Sequence, residues 1–196
     1  MRGWDGLSPE EEFIRKAKSP LREDDGPVNY SGFAGCNTYT GHCGNGWHPA
    51  LDSRNNWDDD EYINWEGRPI YATEGGVVIK VGKADWGKYV MVEHNIDGQN
   101  FYSIYAHLSS AIVEEGTLVD NNTQIGEMGG TLDGGGHTDP HLHFEVRKSA
   151  NVDLAKDNPF RGKVWWPKSK IELAKNFVDL GATNFAGYDN KYDDLP

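Results

Sequence analysis

Apolar and polar positions change period along this chain, and the change divides it into three parts. In residues 9–18, Phe13, Ile14 and Ala17 recur at helical spacing behind Ser8 and Pro9, with Glu10–Glu12 leading and Arg15, Lys16 and Lys18 trailing. A hydroxyl cap, a proline in the first turn and acids before bases predict a short helix aligned with its own dipole. A polar, irregular stretch follows to about residue 47. From Pro69 onward the period is that of strands: 76–81, 89–94, 101–107 and 124–128, with a further strand through 141–146. Asp97-Gly98 between two of these runs predicts a tight hairpin. Near the end, 169–180 returns to helical spacing before Gly181, a natural residue past a helix terminus.

This order predicts a mostly β protein, an antiparallel sheet flanked by short N- and C-terminal helices. The expected boundaries are an N-terminal helical extension over 1–28, a β domain over 29–165, and a C-terminal helix with a polar tail over 166–196, packed on the same domain. The 196 residues suffice for one well-cored domain. The 24 glycines fall mainly in clusters between apolar runs, as turn-rich β structure requires. No apolar stretch approaches the length of a membrane span. Met1–Gly6 lacks the apolar core of a secretory signal, so the chain either stays inside the cell or had a signal removed.

A formal net charge of −12 argues against nucleic acid as a partner, since phosphate binding needs clustered Lys and Arg. It argues equally against bulk electrostatic binding to an anionic surface. Asp58–Glu61 is a run of like charge read as a solvated loop; calcium is the sharper alternative, but calcium sites space their oxygen ligands. Cys36 and Cys43 stand seven residues apart in a Gly- and Thr-rich loop. A disulfide is the favoured reading, contributing roughly 2.5 kcal/mol by chain-entropy arithmetic and implying an oxidising compartment. A metal-ligand pair and two free thiols are the alternatives.

The densest chemistry lies in His141-Leu142-His143-Phe144-Glu145-Val146. On a strand, His141 and His143 share one face, as metal ligands or as a surface pair on an edge strand, and Leu142, Phe144 and Val146 fill the other. Upstream, His48 and Asp52 lie four apart around Pro49, which predicts a bent loop rather than a strand. A hydrolytic zinc ion needs three protein ligands and one open position. His48, Asp52 and His143 would supply a His₂Asp set, with His141 beside it and His107 arriving in Tyr105-Ala106-His107-Leu108. There is no His-Glu-x-x-His sequence, so the duties of that motif's glutamate fall to the histidines. Glu145 is positioned either to orient an imidazole or to be an ordinary polar residue.

His48-x-x-x-Asp52, Tyr105-Ala106-His107-Leu108 and His141-Leu142-His143-Phe144-Glu145 resemble, in order and spacing, the motifs of lysostaphin/LytM-type zinc metallopeptidases. Gly116–Val119 and Gln124–Gly129 resemble their linking segment, and the likeness covers roughly residues 45–160. It implies an antiparallel β domain with a groove, one zinc per chain held by His48, Asp52 and His143, and His107 and His141 as the catalytic pair, their separate roles open. It further implies an extracellular or periplasmic endopeptidase acting on peptidoglycan stem or cross-bridge peptides, expected to be a monomer. A non-catalytic binding domain on the same scaffold, or a protease for glycine-rich peptides, are the alternatives. The chain departs from the family pattern at Ala50 and Thr123, where glycine is common, at Asp139, and in an apparent insertion over 53–68. His42, and more weakly Tyr39, read first as solvated loop residues, with a blocking fourth metal ligand or a groove-lining residue as the alternative; His137 is a candidate for the groove rim, and His94 reads as an exposed strand end. Trp57, Trp65, Trp86, Trp165 and Trp166 read as packing residues before sugar-stacking ones.

Overall fold

The computed structural model describes residues 6–25, 30–31, 48–53, 65–84, 86–130, 140–150, 167 and 169–180. Helix α1, Pro9–Lys16, begins as its sequence requires. The Ser8 side chain accepts from the Glu11 backbone N–H and the Glu11 carboxylate accepts from the Ser8 N–H, a reciprocal capping box. The helix stops two residues short of the expected end because Lys18 N–H is taken by the Thr73 carbonyl.

Nine strands follow among the described residues: β1 Tyr30–Ser31, β2 Ala50–Ser53, β3 Pro69–Tyr71, β4 Gly76–Ala84, β5 Gly87–Ile96, β6 Gln99–Ala111, β7 Leu118–Val119, β8 Gln124–Met128 and β9 His143–Arg147. All pairings are antiparallel, in the order β1-β2-β9-β6-β5-β4-β7, with β8 pairing both β6 and β3. The β5–β6 hairpin turns at Asp97 and Gly98, both with positive φ (50° and 86°), as a two-residue primed turn demands.

The sheet is apolar on both faces. The larger core gathers Val90, Val92, Phe101, Tyr105, Leu142, Phe144 and Val146 under Phe13 of α1 and Leu21. The opposite face carries a smaller cluster of Trp86, Tyr89, Met91, Tyr102, Ile104 and Ala106. Helix α2, Lys170–Asn176, is capped by Ser169. It ends four residues before the expected terminus because the chain is drawn onto the sheet: Phe177 bridges Arg147 and Val178 N–H donates to the Val146 carbonyl. Leu173, Phe177, Val178 and Leu180 thereby join the larger core. No helix among the described residues is long and apolar enough to cross a membrane.

His94 is not exposed as its sequence position suggested. It has no solvent exposure and lies against the Phe13 ring, at 5.5 Å between centroids. Its strand continues two residues further, to Ile96, and its side chain points inward under α1.

Candidate metal centre

Three elements distant in sequence meet at one point on the smaller-core side of the sheet. β2 pairs with β9 so that Asp52 lies opposite His143, and β6 pairs on the other side of β9 with Ala106 opposite His143. The expectation of a bent loop around Pro49 holds for His48 but not for Asp52, which sits within strand β2. Pro49 precedes the strand, so its missing N–H costs no ladder bond. His141 likewise stands ahead of β9 rather than in it. The two histidines are therefore not fixed by one strand's pleat.

The His48, Asp52 and His143 ligand atoms all lie within 4.8 Å of one another, a grouping able to hold a metal ion. His48 Nε2 is 3.5 Å from Asp52 Oδ2, and His143 Nδ1 is 3.2 Å from Asp52 Oδ1. Tetrahedral ligands at zinc bond lengths stand ~3.3 Å apart, so these separations suit such an ion. Asp52 Oδ1 is buried yet forms no hydrogen bond. The atoms are close without being aligned as donor and acceptor, as lone pairs sharing a cation would be.

The electrostatics agree. Burial works against an ionised Asp52, but the imidazoles of His48 and His143 overcome it and hold the carboxyl well below its usual range. Burial also opposes a charged His143, and the carboxylates of Asp52 and Glu145 outweigh it, raising the metal-free imidazole to about 9. A pocket that draws a proton this strongly favours any cation, and a divalent ion more so.

His107 reaches the same face through a defect in β6. Its φ is +62°, and the pairing of β6 with β5 slips by one residue between Tyr105 and Leu108. One extra residue in a strand reverses the alternation of its side chains. Without the bulge, the parity of Phe101, Ser103 and Tyr105 would turn His107 into the larger core; with it, Leu108 takes that place. Backbone hydrogen bonds hold the bulge: His107 N–H donates to the Trp86 carbonyl (3.0 Å) and Gly129 N–H to the His107 carbonyl (2.8 Å). Gly129 in turn accepts from His141 N–H (3.3 Å), so one residue ties both histidines together. A Cβ at position 129 would lie 2.6 Å from the Ser109 nitrogen, which explains the glycine.

The His107 and His141 rings lie 4.4 Å apart, and His107 is 6.0 Å from His143. Burial first, then the neighbouring imidazoles of His141 and His143, push the His107 imidazole down to about 2, so it is neutral. All five sequence-selected residues are thus brought together. His42, Tyr39, His137, Asp139, Asp58–Glu61, both cysteines and most of the expected insertion lie outside the described residues, as do Trp57, Trp165 and Trp166. Trp65 and Trp86 are buried. Trp86 does more than pack: its ring meets His143 edge-on at 4.9 Å and its carbonyl holds the His107 bulge.

Fold and centre together define an antiparallel β protein with a largely buried His₂Asp grouping able to hold a metal ion, flanked by two imidazoles. Residues 61–155 match the model of Peptidase family M23. The chain is 36% identical over 90 residues to lipoprotein NlpD of Yersinia enterocolitica, covering 43% of this chain and 86% of that protein. It is 32% identical over 130 residues to the peptidoglycan DD-endopeptidase ShyB of Vibrio cholerae, covering 66% of this chain and 26% of that one. The NMR solution structure of lysostaphin shares the fold, with a TM-score of 0.52 at 23% identity over 73% of this chain and 52% of that one. The chain belongs to peptidase family M23. It spans about a quarter of the length of the Vibrio cholerae endopeptidases it matches. The family match contains His107, His141 and His143 but begins after His48 and Asp52; the β2–β9 pairing sets Asp52 opposite His143.

Proposed function

We propose that this chain is a zinc-dependent endopeptidase hydrolysing peptide bonds in peptidoglycan stem or cross-bridge peptides, outside the cytoplasm, as a monomer. The observation that carries the reading is the convergence of His48, Asp52 and His143 with His107 and His141 alongside. The names of the Vibrio cholerae relatives support the substrate class.

In this reading His48, Asp52 and His143 hold one zinc ion. When bound, zinc acts as a Lewis acid on the scissile carbonyl and acidifies water toward neutral pH. His141, tied beside the ligands, accepts the proton of the attacking water and passes it to the leaving amine. His107, neutral through burial, donates a hydrogen bond to the oxygen on which charge develops. The β6 bulge and Gly129 keep these two imidazoles in register with one another.

Purified protein is expected to bind one zinc per chain and to release new amino groups from peptidoglycan, an activity that chelator abolishes and zinc restores. Asp52→Ala should lower zinc affinity by more than the roughly 10–100-fold expected of an outer-shell partner, and activity with it. Mass spectra of digested wall fragments identify the bond cut. Zinc-loaded protein that releases no amine from any peptidoglycan type would end the substrate assignment; cleavage of an oligoglycine peptide alone would move it to glycine-rich peptides.

A further inference from the structure

The face of β9 that presents His143 also carries Glu145 and Arg147, and neither has any solvent exposure. Phe144 and Val146 fill the other face. A strand covered on both sides is ordinarily apolar throughout. An ion pair inside it is costly to desolvate, and apolar residues of similar size often replace such pairs without loss. The position of this pair, next to a ligand histidine, suggests a role beyond packing.

Its geometry is directional. Arg147 Nε donates to Glu145 Oε1 at 2.6 Å, and Nη2 of the same guanidinium meets the same oxygen. Arg147 is itself anchored, bridging Phe177 through its main chain and lying over the Phe177 ring at 5.6 Å. Glu145 Oε2 is thereby left facing His143, 3.5 Å from Nε2. Both of these atoms are buried, and neither has a hydrogen-bond partner. An ionised carboxylate can only accept, so the complementary state of His143 carries its proton on Nε2. Its lone pair then sits on Nδ1, the atom nearest Asp52.

We infer that the Glu145–Arg147 pair is a positioning device that fixes His143 in its Nε2–H tautomer and presents Nδ1 to the metal. The inference rests on the reading of His48, Asp52 and His143 as the metal centre. Glu145 sets the ring's tautomer and orientation, and Arg147 keeps the carboxylate ionised and turned toward it.

Two measurements on the full chain test it. Long-range ¹H–¹⁵N NMR of the zinc-loaded wild type should show His143 protonated at Nε2 and metal-bound at Nδ1. Zinc affinity by chelator competition should fall 10–100-fold in E145Q. The double variant E145Q/R147M, a neutral pair, should show the same loss; a merely structural pair would instead leave its zinc affinity at the wild-type level. His143 protonated at Nδ1 in the zinc-loaded wild type, or E145Q binding zinc within threefold of wild type, overturns this inference alone. The NMR result decides the matter even if a variant fails to fold. A wild type that binds no zinc overturns the metal-centre reading and this inference together.

Discussion

Alanine at position 107 is expected to lower kcat by about 10²–10⁴ while zinc content stays at one per chain. His107 is not among the three grouped ligand residues, and its ring stands 6.0 Å from that of His143 and 4.4 Å from that of His141. On the proposed mechanism, its loss removes a hydrogen-bond donor at the reacting oxygen without removing any of the three grouped ligand residues. The backbone supplies a second test within the same experiment. With φ at +62°, residue 107 sits where a side chain is strained and glycine is not. His107→Gly should lose as much activity as His107→Ala yet be more stable by about 1 kcal/mol. Metal analysis, initial rates and denaturant unfolding on the two variants separate chemistry from conformation. Loss of zinc in both would make His107 a ligand, and activity within tenfold of wild type would remove it from catalysis.

Much of the sheet was legible because period-two patterning reports burial directly. β8 falls where the alternation ends at Gln124 and Met128, and the Asp97-Gly98 turn follows from residues that tolerate positive φ. The site was legible as a set of residue types, since two imidazoles and a carboxylate at recurrent spacings have few other uses. Its geometry was less so. Pro49 argues against a strand, but the N–H it lacks is not needed ahead of β2, and Asp52 is held by pairing with His143, 91 residues further along the chain. The β6 bulge leaves a trace in the sequence: Tyr105 and Leu108, both buried in one core, are three apart, and a regular strand cannot put them on the same face. Arg147 left another trace. It completes a series of alternate polar residues with His143 and Glu145 on a strand whose other residues are core-forming. His94 misled because a histidine beside a turn is ordinarily solvated, and nothing local announces that α1 covers it.

That cover makes His94 the source of a pH dependence. The Gly75 carbonyl can only accept, so the 2.9 Å contact with His94 Nδ1 places the proton there. Nε2 must then accept from the Ser103 hydroxyl at 2.7 Å. Ser103 has one proton to give, so across the 3.0 Å contact the Tyr105 hydroxyl donates to it, while Tyr105 accepts from Thr73 N–H at 2.7 Å. Every group in this buried chain is satisfied only while His94 is neutral. Protonation would put a donor on Nε2, turn the Ser103 hydroxyl toward Tyr105, and strand the Tyr105 proton without an acceptor. Burial accordingly pushes His94 down to about 4, against an ordinary value of about 6.5 in the unfolded chain. The sign follows: below pH 6.5 the unfolded chain takes up a proton that the folded one refuses until about pH 4. Stability should therefore fall by about 3 kcal/mol between pH 7 and pH 4 on account of this residue. His94→Gln should be less stable at pH 7, and its deficit relative to wild type should shrink by about that amount at pH 4. Denaturant unfolding of both proteins at matched pH isolates the effect, because zinc release and the titration of the metal-centre residues occur in both and cancel in the difference. A deficit that stays constant across this range would mean that His94 takes up its proton equally in the folded and unfolded chain.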